Sequence, residues 1–215
     1  MGTPAANTRV TRGGRGARER ILRAADRLFY QNGIHATGIA ALTAEAHVST
    51  RTFYQHFETK NALVEAYLRR HEDEAPIPSE MELERAELTA AERLLAIFKP
   101  VDAGGGILRG CPFHNAAVES AGELPGVTHL VEEHKKRFLN RIIAIAREAG
   151  AANPQSLGRQ LAVLYEGANA LAASRNDNAV FTDARKAAET LVHAALDSGR
   201  STRTSAARQT RRKPV

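Results

Sequence analysis

Apolar residues in this chain recur every three or four positions and do not alternate with polar ones, a pattern that packs as helices and not as sheet. Ile21, Leu22, Ala25, Leu28 and Phe29 mark one face of a first helix. Val127, Leu130, Val131, His134, Phe138, Ile142 and Ile145 do the same over residues 127–149, and Leu157, Leu161, Leu164, Ala168 and Leu171 over residues 155–174. Ala184, Ala188, Leu191 and Ala195 repeat the spacing over residues 180–197. The chain is rich in alanine, which loses no side-chain entropy in a helix. Its 215 residues suffice for a sizeable core. An all-α protein is therefore expected. No apolar run approaches the ~18 residues of a membrane span, and the polar, arginine-rich start lacks the apolar core of a signal peptide. The single cysteine, Cys111, cannot close an internal disulfide. A cytoplasmic protein with no membrane partner is the corresponding expectation.

The punctuation of the first 70 residues is dense. Asn32-Gly33 ends the first helix, with Gly33 suited to a left-handed cap. Thr37 can cap a short second helix carrying Ile39, Leu42 and Ala46. His47-Val48-Ser49 breaks it, Ser49 can cap a third helix holding Phe53 and Phe57, and Thr59 a fourth holding Leu63, Ala66 and Tyr67. Pro76 and Pro78, in the acidic stretch 72–92, break any helix begun at residue 60. Beyond them, helices are expected at about 88–99, 112–121, 127–149, 155–174 and 180–197. The charge divides in the same way. Residues 1–20 carry +4, residues 21–60 carry +1, residues 61–198 carry −5 and residues 199–215 carry +6. The organisation expected is a disordered basic arm (1–15), a small helical domain (16–70), a larger one (71–198) and a disordered basic tail (199–215). Basic tails on an acidic body suit a polyanion such as nucleic acid, or serve solubility alone.

Two helices of about one and a half to two turns separated by three residues match the helix-turn-helix unit, whose second helix enters the DNA major groove. Phe53 and Phe57 stand on one side of that second helix, facing Ile39, Leu42 and the first helix. Ser49, Thr50, Arg51, Thr52, Gln55 and His56 stand on the other. Arg51 has the fork that fits guanine O6 and N7, Gln55 can read adenine, and Thr50 and Thr52 can meet a thymine methyl or a phosphate. Tyr54, His56 and Lys60 are placed to hold phosphates, contacts that position without reading sequence. A helix that is merely solvated would carry Glu–Lys pairs on this face, and this one does not.

The run STRTFYQHFETKNAL (49–63) resembles the recognition helix and following helix of the TetR family of bacterial transcriptional regulators, and AADRLFYQNGIHATGI (24–39) is similar to that family's first helix. The resemblance covers roughly residues 16–70. It implies a three-helix helix-turn-helix domain followed by a larger helical domain that binds a small ligand and forms a homodimer. The function implied is that of a ligand-responsive repressor on a palindromic double-stranded operator. Three positions depart from the family pattern. His47 replaces a turn glycine, at a cost of about 1 kcal/mol if left-handed. Thr43 replaces a small residue at a close helix crossing and can turn its hydroxyl onto a preceding carbonyl. Gly38 replaces a phosphate-touching hydroxyl, leaving that contact to Thr37 and backbone amides.

In the larger half, the small residues of 155–174 and 180–197 (Gly158, Gly167, Ala168, Ala172, Ala184, Ala188, Ala195) allow close helix approach, either within one chain or between two. By the resemblance, these last two helices form the homodimer. For the ligand, an apolar or amphipathic small molecule, the candidate residues are Cys111, Phe113, His114, Leu130, His134, Phe138, Tyr165 and Asn169, in a pocket lined mainly by aliphatic side chains. His134, amid apolar neighbours, reads first as a satisfied core histidine and second as a ligand contact. Pro112 suits a first helical turn and puts Cys111 where a thiolate is favoured, so a thiol sensor and a small buried cysteine both remain open. A Cys111-x-x-His114 metal site would need two further ligands from afar. No catalytic motif is present: there is no G-x-S-x-G, no H-E-x-x-H, and the glycine run 104–106 follows no strand. No enzyme activity and no cofactor are expected. A DNA-coating protein acting through its basic tails is the competing reading.

Overall fold

A computed structural model of the protein describes residues 16–74, 76–100, 108–120 and 124–210, the side chains of 200–210 excepted. The helices are α1 (Ala17–Asn32), α2 (Ile39–Glu45), α3 (Thr50–His56), α4 (Lys60–Asp73), α5 (Pro78–Met81), α6 (Ala90–Ala96), α7 (Pro112–Ser120), α8 (Pro125–Glu148), α9 (Pro154–Arg175) and α10 (Ala179–Thr210). A single 3₁₀ turn, Glu82–Glu84, follows α5. No strand occurs among the described residues. The chain divides into two compact units between Tyr67 and Leu68, within α4.

In the first unit α1 packs against α2 and α3. Its core is built from Ile21, Leu22, Ala25, Phe29, Leu42, Phe53, Phe57, Leu63 and Tyr67, all buried. Phe29 and Tyr67 meet edge to face at 5.3 Å. Arg20 Nε donates to the Ala46 carbonyl at 3.1 Å, and Arg27 pairs with Glu45 at 2.6 Å, so α1 also grips α2 through polar groups. Gly33 has a positive φ of 91° but ψ of 160°, so it turns the chain in an extended conformation open to glycine and not in the left-handed helical one. Thr37 does not cap α2. Its hydroxyl donates to the Gly33 carbonyl at 2.7 Å, its side chain is buried, and Gly38 stands at the cap.

A large core of the second unit is built from Leu94, Ile97 and Phe98 of α6, Phe138, Ile142, Ile145 and Ala146 of α8, Leu157, Leu161, Tyr165, Ala168 and Ala172 of α9, and Phe181, Ala184, Ala188 and Val192 of α10. Gly158 marks a close approach of α9 to α8, since a Cβ there would sit 2.5 Å from Ile143 Cγ1. Much of the small-residue face of α9 and α10 is thus used inside the chain. On the reverse side of α9 apolar residues reach the surface, with Val163 at 73% and Leu171 at 53% exposure and open space above Gly167 between them. Leu171 therefore faces opposite to what its spacing suggested.

Two expectations change at the ends of elements. Pro78 does not only break a helix; it starts α5, because a first-turn residue needs no N–H donor. Residues 199–210, expected to be disordered, continue α10 as far as Thr210. The arm 1–15, the glycine run 104–106 and residues 211–215 lie outside the described residues.

Candidate functional site

The turn joining α2 to α3 sets the direction of the exposed helix. His47 takes φ +51°, and Val48 N–H donates back to the Thr43 carbonyl at 3.0 Å, closing α2 as a left-handed residue does at a helix C-terminus. The Thr43 hydroxyl donates to the Ala40 carbonyl at 3.0 Å, which satisfies it where α2 is buried. Ser49 then caps α3, its Oγ accepting from Thr52 N at 3.0 Å and lying 2.9 Å from the Thr52 hydroxyl. Thr59 caps α4 in the same manner through Ala62 N at 3.0 Å.

On α3 the two aromatic anchors point inward, with Phe53 fully buried and Phe57 nearly so, their rings 6.0 Å apart. Arg18 lies over the Phe57 ring at 5.5 Å. Outward stand Ser49, Thr50, Arg51, Tyr54, Gln55 and His56, all exposed, with Thr52 half-buried. Tyr54 rests edge-on against Phe53 at 5.4 Å while half its surface stays open. Among the described residues, Arg51, Gln55 and His56 make no hydrogen bond or ion pair. Lys60, half-buried, reaches the His35 carbonyl at 3.4 Å. Thr37 is the exception among the residues expected to meet DNA. Its hydroxyl is spent on Gly33 and, at 3.2 Å, on Leu28, so its side chain is not presented outward.

The second unit holds a buried polar cluster. His134 on α8 is stacked flat on Phe113 of α7, the ring centroids 3.7 Å apart and the planes 2° from parallel. Its Nδ1 donates to Glu72 Oε1 at 2.6 Å and its Nε2 to Glu80 Oε1 at 3.2 Å. Burial disfavours the charged ring, yet hydrogen bonds and charge from Cys111 and Glu80 outweigh it and raise its pKa to about 9. Arg137 pairs with the other oxygen of Glu72. Beside this group, Lys135 bonds Glu166 at 2.6 Å and reaches Cys111 Sγ at 3.6 Å. Tyr165 shares a 2.6 Å hydrogen bond with Ser79, and burial pushes its phenol up. The candidate ligand residues divide accordingly. Cys111, Phe113, Leu130, His134, Phe138, Tyr165 and Asn169 are buried, while His114 turns partly outward toward Glu166 at 3.8 Å.

A cavity of about 350 Å³ opens beside the cluster. Its lining is mixed: His71, Glu72, Glu80, Glu84, His134, Arg137 and Arg141 are polar or charged, and Pro76, Ile77, Met81 and Phe138 are apolar. Of the expected ligand residues, His134 and Phe138 line it. Tyr165, whose hydroxyl is held by Ser79, and Asn169, which bonds the Tyr165 carbonyl at 3.0 Å, are spent on the core instead. This cavity carries acidic and basic side chains beside its apolar ones. Glu72 and Glu80 lie in the acidic, proline-interrupted stretch 72–92, where no periodicity singles out one carboxylate from the next. The proline pair that interrupts it is the one signal that the chain doubles back there.

An exposed, capped and aromatically anchored second helix behind a tight turn defines a helix-turn-helix DNA-binding protein. A model of the bacterial regulatory proteins of the tetR family matches residues 21–67, and a model of the tetracyclin repressor-like C-terminal domain matches residues 90–188. The transcriptional regulator SCO4454 of Streptomyces coelicolor, a TetR-family protein, is 30% identical over 84% of this chain and 96% of its own, with a TM-score of 0.75. A TetR-type regulator of Streptomyces avermitilis is 29% identical over 80% of this chain and 98% of its own, with a TM-score of 0.68. The regulator UidR of Escherichia coli is 36% identical over 58 residues, which are 27% of this chain and 30% of that relative. The chain belongs to the TetR family of transcriptional regulators.

Proposed function

We propose that the protein is a ligand-responsive repressor that binds a near-palindromic operator as a homodimer. The observation that carries this is the outer face of α3, where Arg51, Gln55 and His56 stand exposed with no partner among the described residues. A polar face left unpaired while its opposite side is anchored by two buried phenylalanines is prepared for an external hydrogen-bonding surface. In this reading Arg51 takes guanine, Gln55 takes adenine, and Thr50 and Thr52 meet a methyl or phosphate. Ser49, Tyr54, His56 and Lys60 hold the backbone, and Lys60 exchanges its contact with the His35 carbonyl for a phosphate.

The dimer is assigned to α9 and α10, with Val163, Gly167 and Leu171 as the exposed apolar stripe it covers. A two-fold axis presents two α3 helices to two half-sites. The ligand is assigned to the cavity beside His134, whose mixed lining favours a molecule with both a polar and an apolar part. Glu72 at the cavity belongs to α4, the helix that begins at Lys60, and a ligand that moves Glu72 biases that helix.

In vitro selection of bound DNA by the full chain tests the reading, with affinity for the selected and a scrambled duplex compared across salt. A specificity ratio of 10³ or more at physiological salt is expected. Equal affinities with a steep salt slope would identify a DNA-coating protein acting through its basic tails instead.

A further inference from the structure

Three buried side chains from three separate elements converge beside the cavity. Glu80 comes from α5, Cys111 from the residue before α7, and His134 from α8. Their ligand atoms, a carboxylate oxygen, Sγ and an imidazole nitrogen, all lie within 4.8 Å of one another. We propose that Glu80, Cys111 and His134 bind a zinc ion, with the fourth position open to the cavity.

The geometry suits zinc in three respects. Ligands 2.0–2.1 Å from a tetrahedral ion stand roughly 3.3 Å apart. His134 Nε2 and Glu80 Oε1 are already 3.2 Å apart, the separation of two ligands on one ion, so the carboxylate need only swing off the Nε2 axis to admit it. Glu72 accepts from His134 Nδ1 at 2.6 Å, the carboxylate–histidine arrangement that fixes the ring and directs the Nε2 lone pair at a metal. The donor set of one thiolate, one imidazole and one carboxylate is borderline-soft and favours zinc over magnesium or calcium. Glu80 and His134 also line the cavity, which supplies an entry path and a place for a water or ligand atom in the fourth position. Binding sends the protons of Sγ and Nε2 to solvent. The site lies in the second unit and does not depend on how α3 reads DNA.

The test uses the untagged full chain, reduced and stripped by a chelator, titrated with Co²⁺ and then Zn²⁺. One Co²⁺ per chain is expected, with a thiolate-to-cobalt charge-transfer band and intense tetrahedral visible absorption, both abolished by one equivalent of Zn²⁺. Cys111→Ser removes the charge-transfer band. Glu72→Gln keeps it but weakens zinc affinity about ten- to a hundredfold, the effect of losing a partner that orients a ligand. No charge-transfer band at stoichiometric cobalt in the unmutated chain overturns the proposal, whether or not the variants fold. Glu80→Gln that folds and binds zinc as tightly as the parent chain overturns the assigned ligand set.

Discussion

The two units treat polar side chains in opposite ways. On α3, Arg51, Gln55 and His56 project into solvent, and the helix is held only by what lies on its other side. In the second unit the polar groups are folded inward and satisfy one another: His134 with Glu72 and Glu80, Tyr165 with Ser79, Lys135 with Glu166. An exposed unpaired group contributes little to stability and is available to a partner. A buried paired group contributes to stability and to the shape of a cavity, and losing its partner leaves a desolvated polar atom behind. Substitutions on the first face should therefore change binding without unfolding, and those at the Tyr165–Ser79 pair, away from α4, should change stability without touching DNA.

Four outcomes would sharpen or break that contrast. The largest effect belongs to Phe53→Ala, which empties the core side of α3. It should destabilise the first unit by about 3–5 kcal/mol in denaturant unfolding and abolish operator binding with it. A variant that still binds tightly would mean α3 is held by something other than its aromatic anchors. Arg51→Ala removes only an outward group. Its operator affinity should fall about ten- to a hundredfold with relaxed preference at one base pair, while the unfolding free energy moves by no more than about 0.5 kcal/mol. Fluorescence anisotropy on matched and mismatched duplexes measures the first, and urea titration the second. A comparable loss of stability would show that Arg51 is part of the fold and not of a reading face.

In the second unit Tyr165→Phe leaves the ring in the core but strands the Ser79 hydroxyl, which its partner now bonds at 2.6 Å. A loss of about 1–3 kcal/mol in thermal or chemical unfolding is expected, with DNA affinity unchanged. The smallest effect concerns the turn. His47→Gly relieves a side chain held at φ +51° and should stabilise the first unit by up to about 1 kcal/mol. If operator preference also shifts, the histidine sets the tilt of α3 as well as closing the turn.

How much of this was readable in advance differs between the units for a physical reason. In the first, each decision is local. Ser49 and Thr59 cap helices within three residues of themselves, Thr43 bonds a carbonyl three residues back, and Phe53 and Phe57 share a face by helical spacing. Thr37 misled because a hydroxyl can satisfy a preceding carbonyl as well as cap a following helix, and only the packed turn selects between them. In the second unit the helices were legible from periodicity but the site was not. Glu72 and His134 are 62 residues apart and Glu80 and His134 are 54 apart, and no spacing rule joins them. A Cys111-x-x-His114 site reads as the weaker one because two further ligands must come from afar, and the groups whose ligand atoms gather near Cys111 are Glu80 and His134.

The sequence by itself determined that the chain is helical, where the caps of α3 and α4 fall, and which face of α3 looks outward, because short-range periodicity and hydrogen bonding decide those matters. Only the tertiary structure decided that an acidic, proline-interrupted stretch turns back over α8 to bring Glu72 and Glu80 onto His134. It also decided that Leu171 faces out while Ala168 and Ala172 face in. Those outcomes rest on which long helices pack against which, and that choice is made by the whole core at once.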